Sequence, residues 1–141
     1  VLRVGLRRAA EPGVERPYRI WLSQVATPGA TGDTGVQMLL RLSLPVFVTG
    51  SDTGTPSPQW QREPDNGSIE LANAGARHVH VRELRLNAEG ADPLVLGPCY
   101  ALPGGLCRWS VPPGLRERAL RIEADSDAGT LQTRLDAAPS R

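Results

Sequence analysis

Residues 36–48 show the clearest alternation of apolar and other side chains in the chain. Every even position is apolar and the odd positions are mixed; the even positions are Val36, Met38, Leu40, Leu42, Leu44, Val46 and Val48. A period of two residues predicts a β-strand with one wholly apolar face. Pro45 has no N–H to donate to a central ladder, so we predict an edge strand. Such an edge is an aggregation hazard, and a protein that keeps one can use it to pair with another chain.

Two shorter alternating segments precede this stretch, residues 1–6 and residues 17–25, and both are predicted strands. Residues 26–35 are small and turn-forming, which predicts a mobile hairpin loop. Three strands with apolar rows cannot cover one another from water. Because the chain also begins abruptly in an alternating run, we expect a fragment whose front end is missing.

The remainder of the chain predicts short, regularly spaced strands. Residues 49–58 are rich in Gly, Pro, Ser and Thr and predict a linker. Apolar parity switches near Arg82 and Glu83, which predicts a β-bulge. About seven strands separated by turn signals are typical of a β-sandwich. The predicted organisation is all-β, with strands of one domain in 1–48, a linker in 49–58 and a β-sandwich domain in 59–136.

Composition narrows the function classes. The formal net charge is +1, and all sixteen basic residues are arginine. A nearly balanced charge argues against nucleic-acid and membrane-surface roles. The sequence has no stretch of ~18 apolar residues that would predict membrane insertion. It also lacks nucleophile-elbow, phosphate-loop and zinc-spacing motifs, so we expect no enzyme activity, no cofactor and no metal site.

Three groups of residues could carry chemistry, and each has a structural alternative. His78 and His80 share a strand face, which we interpret as solvated because no third metal ligand is near in sequence. The two cysteines, Cys99 and Cys107, favour a disulfide if the protein is exported, with two buried thiols as the alternative. The three tryptophans could line a sugar site, although packing is the simpler interpretation; they are Trp21, Trp60 and Trp109.

The ordered combination of several segments resembles a known family. These segments are PYRIWLSQV at 17–25, VQMLLRLSLPVFV at 36–48, GSIELANAG at 67–75 and RHVHVRELRL at 77–86. Together they resemble the periplasmic chaperones of chaperone–usher pilus systems, the PapD-like family. The similarity runs over essentially the whole chain, from the last strands of the family's N-terminal domain through its C-terminal domain.

The resemblance implies two immunoglobulin-like domains and a donor strand. In that family, the strand supplies alternating apolar side chains to an incomplete pilus or fimbrial subunit until an outer-membrane usher takes over. The positions that match are Val36, Met38, Leu40 and Leu42, whereas Leu44, Val46 and Val48 are expected to face their own core. A basic residue that anchors the subunit's carboxylate would fall near residues 43–45, where this chain has no lysine. Either Arg41 or another arginine substitutes for it, or the subunit is anchored differently.

Two functions from different classes follow from these patterns. The first is a non-enzymatic periplasmic chaperone for pilus subunits that works by donor-strand complementation. The alternative is an extracellular immunoglobulin-like or fibronectin-like module, with a structural role or with carbohydrate binding through its tryptophans.

Overall fold

The computed structural model describes residues 3–26, 38–63 and 67–137. Within them the fold is all-β with antiparallel pairing throughout, which confirms the predicted class. The one helix described is a single turn. The elements are β1 (Arg16–Ser23), β2 (Arg41–Val48), β3 (Pro58–Arg62), β4 (Ile69–Asn73), β5 (Val79–Asn87), β6 (Leu94–Leu96), β7 (Cys99–Ala101), β8 (Leu106–Trp109), α1 (Pro113–Arg116), β9 (Leu120–Ser126) and β10 (Gly129–Leu135).

The chain divides into two compact units, and one of them consists of the described residues of Arg16–Val48. The other holds the described residues before Arg16 and after Val48, and it contains two sheets. One sheet has the order β10-β9-β5-β6 with β7 also paired to β5, and the other has the order β3-β4-β8. A single apolar core draws on both sheets: Ile69, Leu71, Val79, Val81, Leu84, Leu86, Ala101, Cys107, Trp109, Val111, Leu120, Ile122 and Ala124.

The predicted bulge in β5 is confirmed. The pairing of β5 with β9 shifts register between Val81 and Glu83. Without the extra residue, Leu84 and Leu86 would point away from the side that Val79 and Val81 occupy, because strand side chains alternate. With the bulge, all four side chains are fully buried in the same core.

The predicted linker, residues 49–58, is hydrogen-bonded along its length. The amides of Ala74 and Ala76 donate to the carbonyls of Ser57 and Thr55 at 3.1 and 3.0 Å. At Gly75 an added Cβ would lie 2.3 Å from the amide nitrogen of Ser57, so only glycine permits this close approach. Thr53 is buried, and its hydroxyl accepts a bond from the amide of Gly50. The segment is therefore packed against the start of the turn that follows β4.

Two predicted strands differ from the structure in extent. Residues 3–6 form no strand, and Val4 and Leu6 are more than half exposed, because no described strand pairs with them. The long strand predicted for 36–48 is β2, which begins only at Arg41. Its partner β1 ends at Ser23, so the ladder runs out there, apart from one further bond from the amide of Gln24 to the carbonyl of Leu40.

Cys99 and Cys107 form a disulfide, which confirms the favoured interpretation of these residues. Their Cα atoms are 6.0 Å apart, inside the usual range for a bridge. Cys99 lies on β7 in the five-stranded sheet and Cys107 on β8 in the three-stranded sheet. The bridge therefore joins the two sheets covalently, with Cys107 fully buried in the core.

We expect the double variant Cys99→Ser/Cys107→Ser to unfold with a free energy about 2–3 kcal/mol lower than that of the oxidised protein. The bridge closes a short loop and so lowers the conformational entropy of the unfolded chain. In the chain-entropy model, a loop of this length gives a stabilisation of about 2–3 kcal/mol. Urea unfolding measures the difference, and thiol titration of the unfolded, non-reduced protein should find no free thiol. Two titratable thiols in protein from an oxidising compartment would contradict the bridge.

A buried carboxylate lies on the three-stranded sheet. Glu70 on β4 sits in register with Gln61 on β3 and Arg108 on β8. The Gln61 amide donates to its Oε2 at 2.8 Å, and the Arg108 guanidinium donates to its Oε1. These hydrogen bonds, with that of Gln61 first, lower the pKa of Glu70 although burial opposes them. The fold therefore favours the ionised form.

The pKa of Glu70 is lower in the folded than in the unfolded state. Ionised Glu70 therefore stabilises the fold fully at pH values above the ordinary glutamate pKa of about 4.3. That contribution is lost as the pH falls through the lowered folded-state pKa. We expect the free energy of unfolding to fall less steeply with acidification in Glu70→Gln than in the parent. Urea unfolding between pH 3 and 7 measures this, with the exposed Glu117→Gln as control. Identical pH profiles for parent and Glu70→Gln would contradict the prediction.

Candidate functional site: the apolar face of the β1–β2 hairpin

Most aliphatic side chains of the β1–β2 hairpin lie on one face. Residues directly opposite in an antiparallel pair share a face, and the register pairs Tyr18 with Val46, Ile20 with Leu44 and Leu22 with Leu42. The backbone bond from Gln24 to Leu40 continues this row by one step. We call this surface the apolar face, and it consists of Tyr18, Ile20, Leu22, Leu40, Leu42, Leu44 and Val46.

The apolar face is open to solvent. Leu40 is 64 % exposed, Leu42 50 % and Leu44 42 %, and Tyr18 on the neighbouring strand is 54 % exposed. No described residue of the hairpin, in 16–26 or 38–48, is fully buried. A two-stranded hairpin is marginal in water by itself, and a contiguous apolar patch of this kind marks an interaction surface or an aggregation hazard.

The four predicted donor-strand positions differ in where they lie. Val36 is outside the described residues. Met38 is 84 % exposed and, like Leu40, precedes β2, so the described structure does not place these two in a strand. Leu42 lies within β2 on the apolar face. Their role in binding a subunit stays a prediction, while the exposure of Met38, Leu40 and Leu42 is a property of the structure.

The core interpretation of the second half of the row does not hold within the described residues. Leu44 is exposed, and Val46 and Val48 are only half-buried. In register they lie opposite Ile20, Tyr18 and Arg16 on β1, and the described residues of this unit contain no second sheet to cover them.

The opposite face of the hairpin is mixed, with Arg19, Arg41 and Ser43 beside the apolar Trp21 and Phe47. The guanidinium carbon of Arg41 lies 4.7 Å from the centroid of the exposed Trp21 ring, a cation–π contact. Arg19 donates to the hydroxyl of Ser43 at 3.0 Å. The predicted basic anchor near residues 43–45 therefore has two arginines in its neighbourhood, on the face away from the apolar row.

The tryptophans divide between packing and exposure. Trp60 and Trp109 stack with ring centroids 5.8 Å apart, and Trp109 is buried in the core with its indole N–H donating to the carbonyl of Gly97. Only Trp21 is exposed. Trp60 and Trp109 therefore act in packing, as the simpler interpretation predicted, and Trp21 belongs to the other compact unit.

A cluster of charged side chains around His78 was missed by sequence reasoning, which placed His78 on a solvated face. That interpretation is wrong for His78. Its ring Nδ1 lies 2.6 Å from the buried carboxylate of Glu15, and its Nε2 lies 3.2 Å from the carboxylate of Asp127. The three residues line a cleft of ≈ 290 Å³. His80, by contrast, stacks flat on Tyr100 with centroids 3.9 Å apart.

Backbone hydrogen bonds tie this cluster to neighbouring segments of the chain. Glu15 also accepts a bond from the amide of His78, and its own amide donates to the carbonyl of Ala76. Asp127 accepts from the amide of His80. In the part of the chain that the structure describes, no three His, Cys, Asp or Glu side chains are arranged to bind a metal ion. The cluster joins the segment before β1 to β5 and to the β9–β10 turn.

Comparison with known proteins adds no identification. No family model matches the sequence, and no curated protein matches it either. None of the helices in the described ranges has the length and apolar character needed to cross a membrane.

Proposed function

We propose that the protein is a periplasmic chaperone that captures incomplete pilus or fimbrial subunits through the β1–β2 hairpin and passes them to an outer-membrane usher. The observation that carries the proposal is the exposed apolar row Met38, Leu40 and Leu42 next to a strand edge. The family resemblance of the sequence supplies the identity of the partner, and no enzymatic step is part of the proposal.

The physics of strand addition supports this use of the hairpin. Main-chain hydrogen bonds to an edge strand provide affinity, and alternate side chains fill pockets that provide specificity. Before β2, the backbone of Leu40 bonds to Gln24 in both directions: its carbonyl accepts from the Gln24 amide at 2.8 Å, and its amide donates to the Gln24 side-chain oxygen at 3.3 Å. Within the described residues, the backbone groups of Met38 and Leu39 make no such bond to β1, so they are available to an incoming strand. Each large apolar side chain that enters a groove contributes about 1.5–3 kcal/mol.

The compartment and the domain type are further parts of the proposal. A disulfide between Cys99 and Cys107 is favoured by an oxidising compartment such as the periplasm. The two antiparallel sheets around one core are compatible with an immunoglobulin-like second domain.

The direct test is capture of a subunit domain that lacks one strand. The protein, expressed from its full natural reading frame, is mixed with that domain and separately with the same domain completed by fusing its missing strand. We expect a one-to-one complex in size-exclusion chromatography with the first domain and none with the second. Equal binding to both, or to neither, would overturn the proposal.

A further inference from the structure

The five-stranded sheet carries a row of three polar side chains across neighbouring strands. Asn87 on β5 is in register with Arg121 on β9, and Arg121 is in register with Arg134 on β10. Arg121 lies between the buried Leu120 and Ile122, so its side chain points to the outer surface of the sheet. All three residues line one shallow depression of ≈ 630 Å³. We call these residues the arginine row.

The juxtaposition of Arg121 and Arg134 is unfavourable as it stands. Like charges directly opposite on an antiparallel pair destabilise it, and the Cβ atoms of such pairs lie only about 4.5–5.5 Å apart. Within the described part of the chain, neither guanidinium makes a hydrogen bond or an ion pair with another residue. The row therefore concentrates two positive charges that the described residues do not neutralise by direct contact.

Other arginines on the same sheet surface are neutralised. Arg82 donates to both carboxylate oxygens of Asp125, at 2.9 and 3.1 Å, and Arg85 pairs with Glu83 at 3.0 Å. Two carboxylates, those of Glu89 and Glu123, also line the depression, but they lie outside the row. Glu123 is in register with Arg85 and Gln132, one step along the strands from the two arginines.

From this arrangement we propose that the arginine row binds a small phosphate-type oxyanion. Two guanidinium forks offer paired N–H donors that match phosphate oxygens, and the side-chain amide of Asn87 adds a further donor. A phosphate group carries about −1.5 to −2 charges near neutral pH, which matches the two arginines. Glu89 and Glu123 at the margin disfavour a long polyanion or a strongly anionic membrane, so the ligand is a single small anion. The site is independent of the hairpin and of the proposed capture of subunits.

An NMR titration of the full chain with inorganic phosphate tests the site. Ionic strength is held constant with sodium chloride, and the Nε–H signals of the arginines are followed. We expect saturable shifts confined to Arg121, Arg134 and their strand neighbours, with a Kd on the order of 1 mM. The single variant Arg134→Gln should weaken binding about tenfold or more, and the double variant Arg121→Gln/Arg134→Gln should abolish it.

The matched control is Arg7→Gln/Arg8→Gln, which removes the same charge from an exposed segment and should leave phosphate binding unchanged. Glu123→Gln should tighten binding several-fold, because it removes a competing carboxylate. Shifts that do not saturate, or that survive in the double variant, would overturn the site. Arginine-dependent sedimentation with phosphatidylglycerol vesicles, without binding of free phosphate, would overturn the assignment to a small anion and point to a lipid headgroup instead.

Discussion

Replacing Leu40 with alanine is expected to weaken capture of an incomplete subunit about tenfold or more, while the stability of the protein hardly changes. The side chain is 64 % exposed, so the described fold loses little packing when it is shortened. Burying the same side chain in a partner's groove would contribute about 1.5–3 kcal/mol to binding. A difference of about 1.4 kcal/mol is a factor of ten in affinity. Capture is measured by titrating the strand-deficient subunit domain, and stability by the urea midpoint of the same variant.

The matched control is Leu39→Ala. Leu39 is similarly exposed but one position out of phase with the apolar row, so its removal should reduce capture far less. The competing interpretation places Leu40 in the core of its own domain, where truncation would cost about 2–5 kcal/mol of folding stability. A large fall in the urea midpoint with unchanged capture per folded molecule would reject the donor-strand assignment.

Replacing Leu84 with alanine is expected to lower the free energy of unfolding by about 2–5 kcal/mol. The side chain is fully buried, and it lies between Leu96 on β6 and Ala124 on β9 in the register of the five-stranded sheet. Truncation removes buried methyl groups and leaves a cavity in a core that the disulfide and two sheets hold closed. Urea unfolding followed by the fluorescence of Trp60 and Trp109, which stack within the same unit, measures the loss.

Val95→Ala is the control for this prediction. Val95 lies on the adjacent strand opposite Arg85 and is 52 % exposed, so shortening it should change stability by no more than about 0.5 kcal/mol. Equal losses for the two variants would show that Leu84 does not face the core. That result would also contradict the bulge in β5, because only the bulge brings Leu84 to the side of the strand that Val79 and Val81 occupy.

Local patterns were sufficient for much of the sandwich unit. The regularly spaced short strands with turn signals and the parity switch at Arg82 and Glu83 predicted features that the structure confirms. These features depend on residues close in sequence, since strand alternation and turn chemistry act over a few positions. The disulfide was also predictable from the cysteine count, although its geometry depended on the register of β7 and β8 around the turn between them.

Strand limits were less predictable than strand existence. The alternation in 36–48 continues over the full segment, but β2 begins at Arg41 because its partner ends at Ser23. A strand needs hydrogen-bonding neighbours as well as a pattern, and a sequence window contains no information about where a neighbour stops. Residues 3–6 show the same effect, as they alternate without a described partner.

The sequence by itself determined the all-β class, the turns, the bulge and the apolar row of the candidate site, because each follows from the periodicity or composition of a few consecutive residues. Only the tertiary structure decided that Glu15 and Asp127 meet at His78 and that Tyr18, Ile20 and Leu22 join the apolar face. Those contacts join residues far apart in the chain, up to 63 positions in the case of Glu15 and His78. They depend on strand register and on packing between segments, and neither of these is encoded in a local window.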